Sequence, residues 1–427
     1  MIKTVKFGGS SLATAERYYK VAETVLSDKD RKFIIVSAFG KRFSDDEKIT
    51  DMLYRVYDCV KNGQSVEKAY GAVFTRTAEI VRGLKLNIDL TDFFDKIERE
   101  TEKNFTLDFV LSRGEYISAR VTAEFLKFDF IDAKDIIKFN DDGTYNGEFS
   151  EFLIRNTLSG IERAVIPGFY GETAGGVIKT FGRGGSDFTG SVIAGAVKAD
   201  IYENFTDVSG IFACDPKIAF DAEIIKRMPF SAFRRLSEFG ASVLHPDSVL
   251  PLKNTDISIN VKNTFRPEDK GTFVIPDNKF NDYKIETAVT AKSGVGEITI
   301  LKYNKTEKYD KNLLDYICGK VSIINVLSSA DRLAVSFFGS AGEIAEYIYE
   351  NYVPDSVNSR DSLALIYVMC IEAEAKISEI CGILQSRNIS VRNVFCRKED
   401  YGLFIIVADS DKSEAVKAIY AFERKKI

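Results

Sequence analysis

The stretch Ile2-Lys3-Thr4-Val5-Lys6-Phe7-Gly8-Gly9-Ser10-Ser11 decides how the rest of the chain is read. A strand-like run ends in two glycines and two hydroxyls, and helical sequence follows to about Leu26. Glycines let backbone N–H groups approach an anion, and a helix N-terminus adds partial positive charge. Lys6 points a cation at the same place. Such a turn is a phosphate cradle; the alternative is a tight turn with N-capping serines. It is not a Walker A loop, because the nearest GxxxxG, at 190–195, is followed by Ala196 rather than Lys.

Working outward, the same unit returns. Residues 32–37 (KFIIVS) read as a second strand, and 46–82 and 89–127 as charged, periodic helices. Residues 165–167 and 179–181 are short strands, the second leading into Gly182-Arg183-Gly184-Gly185-Ser186-Asp187-Phe188-Thr189. A small-residue helix to about Lys198 and a strand at 200–205 follow. Strands alternating with helices predict an α/β layer with a mostly parallel sheet. Ligands of such sheets sit at the carboxyl ends of strands, where both glycine-rich turns fall.

In the second turn, Arg183 suits bidentate capture of a carboxylate or phosphate. Asp187 fits three roles there: orienting a lysine, orienting a metal-bound water, or capping the helix. Three glycines in four residues cost entropy unless a ligand or backbone must come close. Thr206-Asp207-Val208-Ser209-Gly210-Ile211-Phe212 follows a strand and runs to Asp215-Pro216-Lys217. It offers hydrogen bonds to a base or ribose and a ring for a purine, or it is an ordinary turn. Leu111-Ser112-Arg113-Gly114-Glu115 reads, on its own, as a helix start with a dipole-compensating acid.

Composition excludes other chemistries. The chain has 427 residues, 58 basic against 63 acidic, with a net charge of −5 and no basic bias for nucleic acid. A single histidine, His245, rules out HExxH zinc chemistry, and any Ser-His-Asp triad would have to use it. In VLHP it reads as a capping or loop-ordering residue. The six cysteines contain no CxxC pair and read as reduced. The longest apolar run, at 363–371, is about half of what a membrane helix needs. The expectation is a soluble cytoplasmic protein with no nucleic-acid or membrane partner and no metal held by its own side chains.

After about residue 275 an internal repeat begins. Val321-Ser322-Ile323-Ile324-Asn325-Val326 returns as Ile389-Ser390-Val391-Arg392-Asn393-Val394. Each copy follows an amphipathic helix (309–319 and 376–387), and strands at 297–301, 332–338, 363–369 and 403–408 complete two βαββ-like units. Units this small pack on each other or across a dimer.

Together these residues resemble the aspartokinases of the amino acid kinase family. KFGGSS, LSRGE, PGFYG (167–171), GRGGSDFT, TDVSGIFACDPK and GASVLHP (240–246) occur in the family's order, and the likeness covers essentially the whole chain. The resemblance implies an amino acid kinase-like α/β sandwich with a mostly parallel central sheet at 1–275. Two α+β ferredoxin-like ACT domains, at 276–350 and 351–427, would follow. It implies phosphorylation of the β-carboxylate of L-aspartate by ATP, with magnesium bridging the β- and γ-phosphates. Lys6 would contact the transferred phosphate, with Gly8, Gly9, Ser10 and Ser11 cradling phosphates. Ser37, Thr50, Glu115 and Arg183 would hold aspartate, Glu115 at its amine and Arg183 at a carboxylate. Asp187 would position the reacting groups, and Thr206, Asp207, Phe212, Asp215 and Lys217 would line the nucleotide site. A feedback amino acid, lysine rather than threonine, would bind at Ser322, Ile323, Ile324, Asn325 and Ser329 in a homodimer or dimer of dimers.

Departures from the family pattern are specific. Eight residues (42–49) separate Gly40-Lys41 from Thr50-Asp51 and read as a lid. Phe212 replaces Tyr, Lys217 replaces Arg, and Ser242 replaces Lys. Ile324 is apolar where lysine-sensitive relatives tend to be acidic, leaving Glu307 or Asp310 to supply a carboxylate. Two alternatives stand beside aspartate kinase. One is a kinase for another small carboxylate such as glutamate; the other is a non-catalytic amino-acid sensor. A fused homoserine dehydrogenase is not expected, since no GxGxxG follows the second repeat.

Overall fold

The computed structural model describes residues 1–241, 243–280, 285–301, 309–352, 354–397 and 401–424, with backbone alone at 309–311. The chain divides into two units: Met1–Ile211, Ile224–Ser237 and Ser242–Lys284 form one, and Phe212–Glu223, Glu238–Ala241 and Ile285–Ile427 the other.

The strands of the first unit are β1 (Lys3–Phe7), β2 (Arg31–Val36), β3 (Asp129–Phe130), β4 (Lys138–Phe139), β5 (Ala164–Pro167), β6 (Tyr170–Thr173), β7 (Ile178–Thr180), β8 (Ile201–Thr206), β9 (Arg227–Pro229), β10 (Ser258–Asn263) and β11 (Thr272–Ile275). The helices are α1 (Ala15–Leu26), α2 (Ile49–Lys61), α3 (Val66–Gly83), α4 (Leu90–Lys103), α5 (Leu107–Leu126), α6 (Ala133–Ile136), α7 (Gly147–Leu158), α8 (Gly185–Ala196) and α9 (Phe230–Glu238). Eight strands form one sheet in the order β3-β5-β2-β1-β8-β10-β11-β9, parallel except at β10–β11. The mostly parallel α/β layer is therefore present, with β1 between β2 and β8 at its centre. Val5 and Phe7, fully buried, pack with Val36, Phe205 and the apolar faces of α1, α2, α3 and α5.

Several local expectations change. The two long helical stretches each break in two, into α2–α3 and α4–α5. Gly63 in the left-handed region (φ +87°) and the Ser65 cap stop and restart the first. Thr106, whose side chain accepts from the Phe109 N–H, restarts the second. Behind KFGGSS the chain makes a short 3-10 turn, Gly9–Leu12, before the Thr14 cap opens α1. The strand before GRGGSD belongs to a separate three-stranded sheet, β4-β6-β7, not to the central one. LSRGE lies inside α5, so helix-dipole compensation does not explain Glu115.

The second unit is one six-stranded antiparallel sheet. Its elements are β12 (Ala288–Leu301), α10 (Tyr309–Lys320), β13 (Ser322–Ser328), β14 (Arg332–Phe338), α11 (Ala341–Asn351), β15 (Ser356–Met369), α12 (Ala373–Ser386), β16 (Asn393–Arg397), β17 (Gly402–Ala408) and α13 (Lys412–Arg424). The order β13-β14-β12-β15-β17-β16 is symmetric about the β12–β15 pair, two strands of 14 residues each whose starts lie 68 residues apart (356 − 288). Gly294 (φ +83°) sits at the bulge where that pairing shifts register. The repeat is thus real, and its halves join edge to edge. Its second copy is offset, however: β13 opens at Ser322, whereas residues 389–392 precede β16.

Candidate functional site

The parallel register sets Lys6 beside Asn204 on β8 and Ile35 on β2. From there the Lys6 Nζ reaches the Asp187 Oδ1 at 2.6 Å, and both side chains are about nine-tenths buried. Asp187 lies in the first turn of α8. The N-cap of that helix, Gly184, is left-handed (φ +79°), and a Cβ there would strike the His245 ring. His245 also caps the 3-10 helix Pro246–Leu252, its Nδ1 accepting the Asp247 N–H at 3.3 Å. The lone histidine is therefore structural, and it buttresses the glycine loop.

PGFYG packs on the same loop from the other side. A Cβ on Gly168 would come within 2.6 Å of the Ser186 Cβ, and the Phe169 N–H donates to the Thr189 Oγ1 at 3.1 Å.

The KFGGSS loop is held backbone to backbone. The Gly40 N–H donates to the Gly9 carbonyl at 2.8 Å, and a Cβ on Gly9 would lie 2.6 Å from the Ala38 carbonyl oxygen. Glycine is needed on both sides for that approach. Ser11, expected among the phosphate contacts, is committed elsewhere. It is fully buried, its Oγ is 2.7 Å from the Thr264 Oγ1, and its N–H donates to the Gly8 carbonyl at 3.0 Å. Ser11 anchors the loop, and the Gly8 N–H is likewise taken, donating to the Phe205 carbonyl at 3.1 Å; Gly9 and Ser10 line the cavity described next.

A cavity of about 640 Å3 gathers much of the rest. Gly9, Ser10, Ser37, Thr50, Glu115 and Asp207 line it, joined by four cations, Arg17, Lys41, Arg42 and Lys48. Thr50, at the start of α2, therefore stands with Ser37 and Glu115 despite the eight intervening residues. Those residues are tied to the body of the unit by a buried acid. Asp46, 6% exposed, takes Arg42 Nη2 at 2.8 Å and Arg76 Nη1 at 2.9 Å. Burial pushes the Asp46 carboxyl up, but the Arg42 hydrogen bonds and charge outweigh it and hold it below its ordinary value. Arg76 also donates to the Gly40 carbonyl, and Arg17 to the carbonyls of Ser10, Lys41 and Arg42.

Glu115 is the electrostatic centre of this cavity. Burial lifts its carboxyl from 4.5 to about 7, against the pull of the Ala38 amide and the Lys6 charge. Gly114 lets α5 come close enough: a Cβ there would lie 2.8 Å from the Ala38 Cβ and 3.1 Å from Leu53 Cδ1. Arg113 points away, its guanidinium against the rings of Phe109 (4.3 Å) and Tyr116 (4.7 Å).

Arg183 does not line the cavity. It is exposed on its loop and pairs with no described acid. Thr206 ends β8, with its Oγ1 donating to the Asp207 Oδ1 at 3.2 Å. Phe212, Asp215 and Lys217 fall in the segment that groups with the second unit, where the Lys217 N–H donates to the Asp215 Oδ1 at 2.9 Å. In that unit Ser322, Ile323, Ile324 and Asn325 lie on β13, an edge strand, and the Ile324 carbonyl accepts from Arg397 at 2.5 Å. Ser329 follows, its Oγ donating to the Asp331 Oδ1 at 2.9 Å. Ser242, Glu307 and the Asp310 side chain lie outside the described residues. Among the described residues no cluster of three or more His, Cys, Asp or Glu is placed to hold a metal, and no helix is long and apolar enough to cross a membrane.

Sequence reasoning missed Asn204, Arg17 and Arg76. A polar residue inside a buried parallel strand was the available sign for Asn204. Nothing in the local pattern marks the two arginines, whose partners are distant carbonyls.

A parallel sheet with a glycine loop at the end of its central strand, and a second glycine loop opening the helix that brings an aspartate to that strand's lysine, is an arrangement suited to handling phosphate. The pattern of the Amino acid kinase family matches residues 1–263. A crystal structure of Clostridium acetobutylicum aspartate kinase is 33% identical, with a TM-score of 0.91 over 98% of this chain and 99% of that one. Aspartokinase 3 of Bacillus subtilis is 27% identical over 98% of both chains. Escherichia coli aspartokinase III, solved with aspartate and ADP (21% identity, TM-score 0.79) and with lysine and aspartate (22%, 0.76), shares the fold. This chain belongs to the amino acid kinase family and, within it, to the aspartokinases.

Proposed function

We propose that this chain transfers the γ-phosphoryl group of ATP to the β-carboxylate of L-aspartate, giving 4-phospho-L-aspartate under feedback control. The observation that carries this reading is the buried Lys6–Asp187 pair at the carboxyl ends of β1 and the second glycine loop, near the Glu115 cavity. An aspartate carboxylate is already ionised at neutral pH and needs no general base. Its oxygen forms the new P–O bond, the β–γ bridging bond breaks, and ADP leaves. Such a transfer depends mainly on positioning and charge neutralisation. Lys6 neutralises charge on the moving phosphoryl group, Gly9 and Ser10 present amides to the phosphates while Gly8 lets the chain turn there, and Asp187 holds Lys6 in place. Ionised Glu115 receives the substrate ammonium, Ser37 and Thr50 supply hydroxyls, and Arg183, exposed on its loop, takes the α-carboxylate.

Thr206 and Asp207 take the nucleotide, with Phe212, Asp215 and Lys217 assigned on the motif alone. The residues present suit magnesium that arrives with the nucleotide: Asp187 Oδ1 is already shared by Lys6 and Asn204, and Asp207 is exposed on the cavity wall. When bound, magnesium neutralises the β- and γ-phosphates.

Lysine is the favoured effector, at Ser322, Ile323, Ile324, Asn325 and Ser329. The edge position of β13, with Leu327 55% exposed, favours assembly of two copies there. Six free cysteines fit a reducing cytoplasm. The test is ADP release with aspartate or glutamate, each with and without lysine or threonine. Release that ignores aspartate refutes the activity, and indifference to both effectors refutes the control.

A further inference from the structure

We propose that Asn204 is a positioning residue for phosphoryl transfer: with Tyr202 it forms a bracket on β8 that orients Asp187, and through it Lys6. The inference rests on the aspartate kinase reading and adds residues that none of the chain's motifs contains.

Tyr202 and Asn204 lie two apart on one strand, so their side chains share a face. Both are fully buried under the start of α8. The Asn204 amide donates to the Asp187 Oδ1 at 2.9 Å, the same oxygen that takes Lys6 Nζ at 2.6 Å. A carboxylate only accepts, so the Asn204 atom facing it must be its nitrogen. The second amide hydrogen goes to the Tyr202 Oη at 2.9 Å. The Tyr202 hydroxyl in turn donates to the main-chain carbonyl of Asp187 at 3.2 Å. Asp187 is gripped at its carboxylate and at its backbone by two residues of the strand next to Lys6.

Two further observations point the same way. Among the described residues the buried Asn204 Oδ1 has no hydrogen-bond partner. An orphaned buried carbonyl is costly, and an apolar residue there would avoid that cost, so the amide's donors account for its presence. Room has also been made for the phenol: a Cβ on Gly190 would run into the Tyr202 hydroxyl, so glycine is needed in α8 at that position. Burial raises the Tyr202 phenol well above its ordinary value, which keeps it a donor throughout the working pH range.

A hydrogen bond to a charged group is worth about 1.5–3 kcal/mol, which corresponds to roughly a 10- to 100-fold change in rate. Asn204→Leu therefore lowers kcat by about 10- to 100-fold while KM for aspartate and ATP moves less than about threefold. Tyr202→Phe, which removes only the hydroxyl, lowers kcat by a few-fold and guards against a leucine variant that does not fold. The discriminating readout is a double-mutant cycle. In an Asp187→Asn background, Asn204→Leu costs less than about twofold more, because the bracket has nothing left to hold. Full additivity of the two losses, or a kcat within twofold of wild type for both bracket variants, overturns the proposal. Wild-type protein that releases no ADP with aspartate overturns the parent reading instead, so the two failures are told apart.

Discussion

In the first unit, chemistry converges from far apart in sequence. Lys6 and Asp187 meet because β1 and β8 are parallel neighbours and α8 starts above them. In the second unit, structure repeats at short range: β12 and β15 are two copies of one strand, paired along their length. The first arrangement holds charged groups in direct contact inside a packed layer. The second leaves its candidate effector residues on an edge strand, half-open to whatever binds. The difference teaches that substitutions in the first unit should strike turnover and stability, and those on β13 should strike only the response to an effector.

The strongest way to break that division is Lys6→Ala. Loss of the cation at the transferred phosphoryl should lower kcat by about a thousandfold or more, read as initial ADP release at a temperature well below a thermal melt that itself falls because Asp187 loses its buried partner. Next in size is the strap on residues 42–49. Arg76→Ala leaves Asp46 buried beside Arg42 alone, and the expected loss is about 3–5 kcal/mol of unfolding free energy in urea. A loss under about 1 kcal/mol would return those residues to the status of a loose lid.

Arg183→Ala should follow, with a drop of about a hundredfold in kcat/KM for aspartate, carried mainly by KM. Glu115 sharpens the comparison through pH. Its folded carboxyl sits near 7 against an ordinary 4.5, so the folded chain binds the proton more tightly than the unfolded one. Stability from this group is complete below about 4.5 and is lost as pH rises through 7. Binding of the substrate ammonium runs oppositely, because it needs the carboxylate. KM for aspartate should therefore fall by about tenfold per pH unit below 7 and level off above it. Glu115→Gln should abolish that dependence while melting higher than wild type at pH 8 and no higher at pH 4. The smallest effect on turnover belongs to the second unit. Asn325→Ala should change kcat without lysine by less than about twofold, yet remove inhibition by lysine.

How much was legible in the sequence follows the same division. Glycine loops announce themselves because only glycine tolerates the approach of Gly9 to Ala38 and Gly40, or the left-handed turn at Gly184. Glu115 was legible as a motif residue but not by placement: nothing local shows that α5 begins eight residues earlier, at Leu107. Asn204 and Arg76 were illegible, because their partners are set by sheet register and tertiary packing rather than by neighbours in the chain. The repeat was visible, but its second strand begins at Asn393, later than the sequence likeness of 389–394 implies. Apolar likeness there does not report where the ladder with β17 begins.

The most direct test of the central claim is to trap the product. An acyl phosphate reacts with hydroxylamine, so wild-type protein with ATP, magnesium, aspartate and hydroxylamine should yield the aspartyl hydroxamate in step with ADP, with Lys6→Ala yielding almost none. ADP without hydroxamate, or equal hydroxamate from Lys6→Ala, would contradict the account.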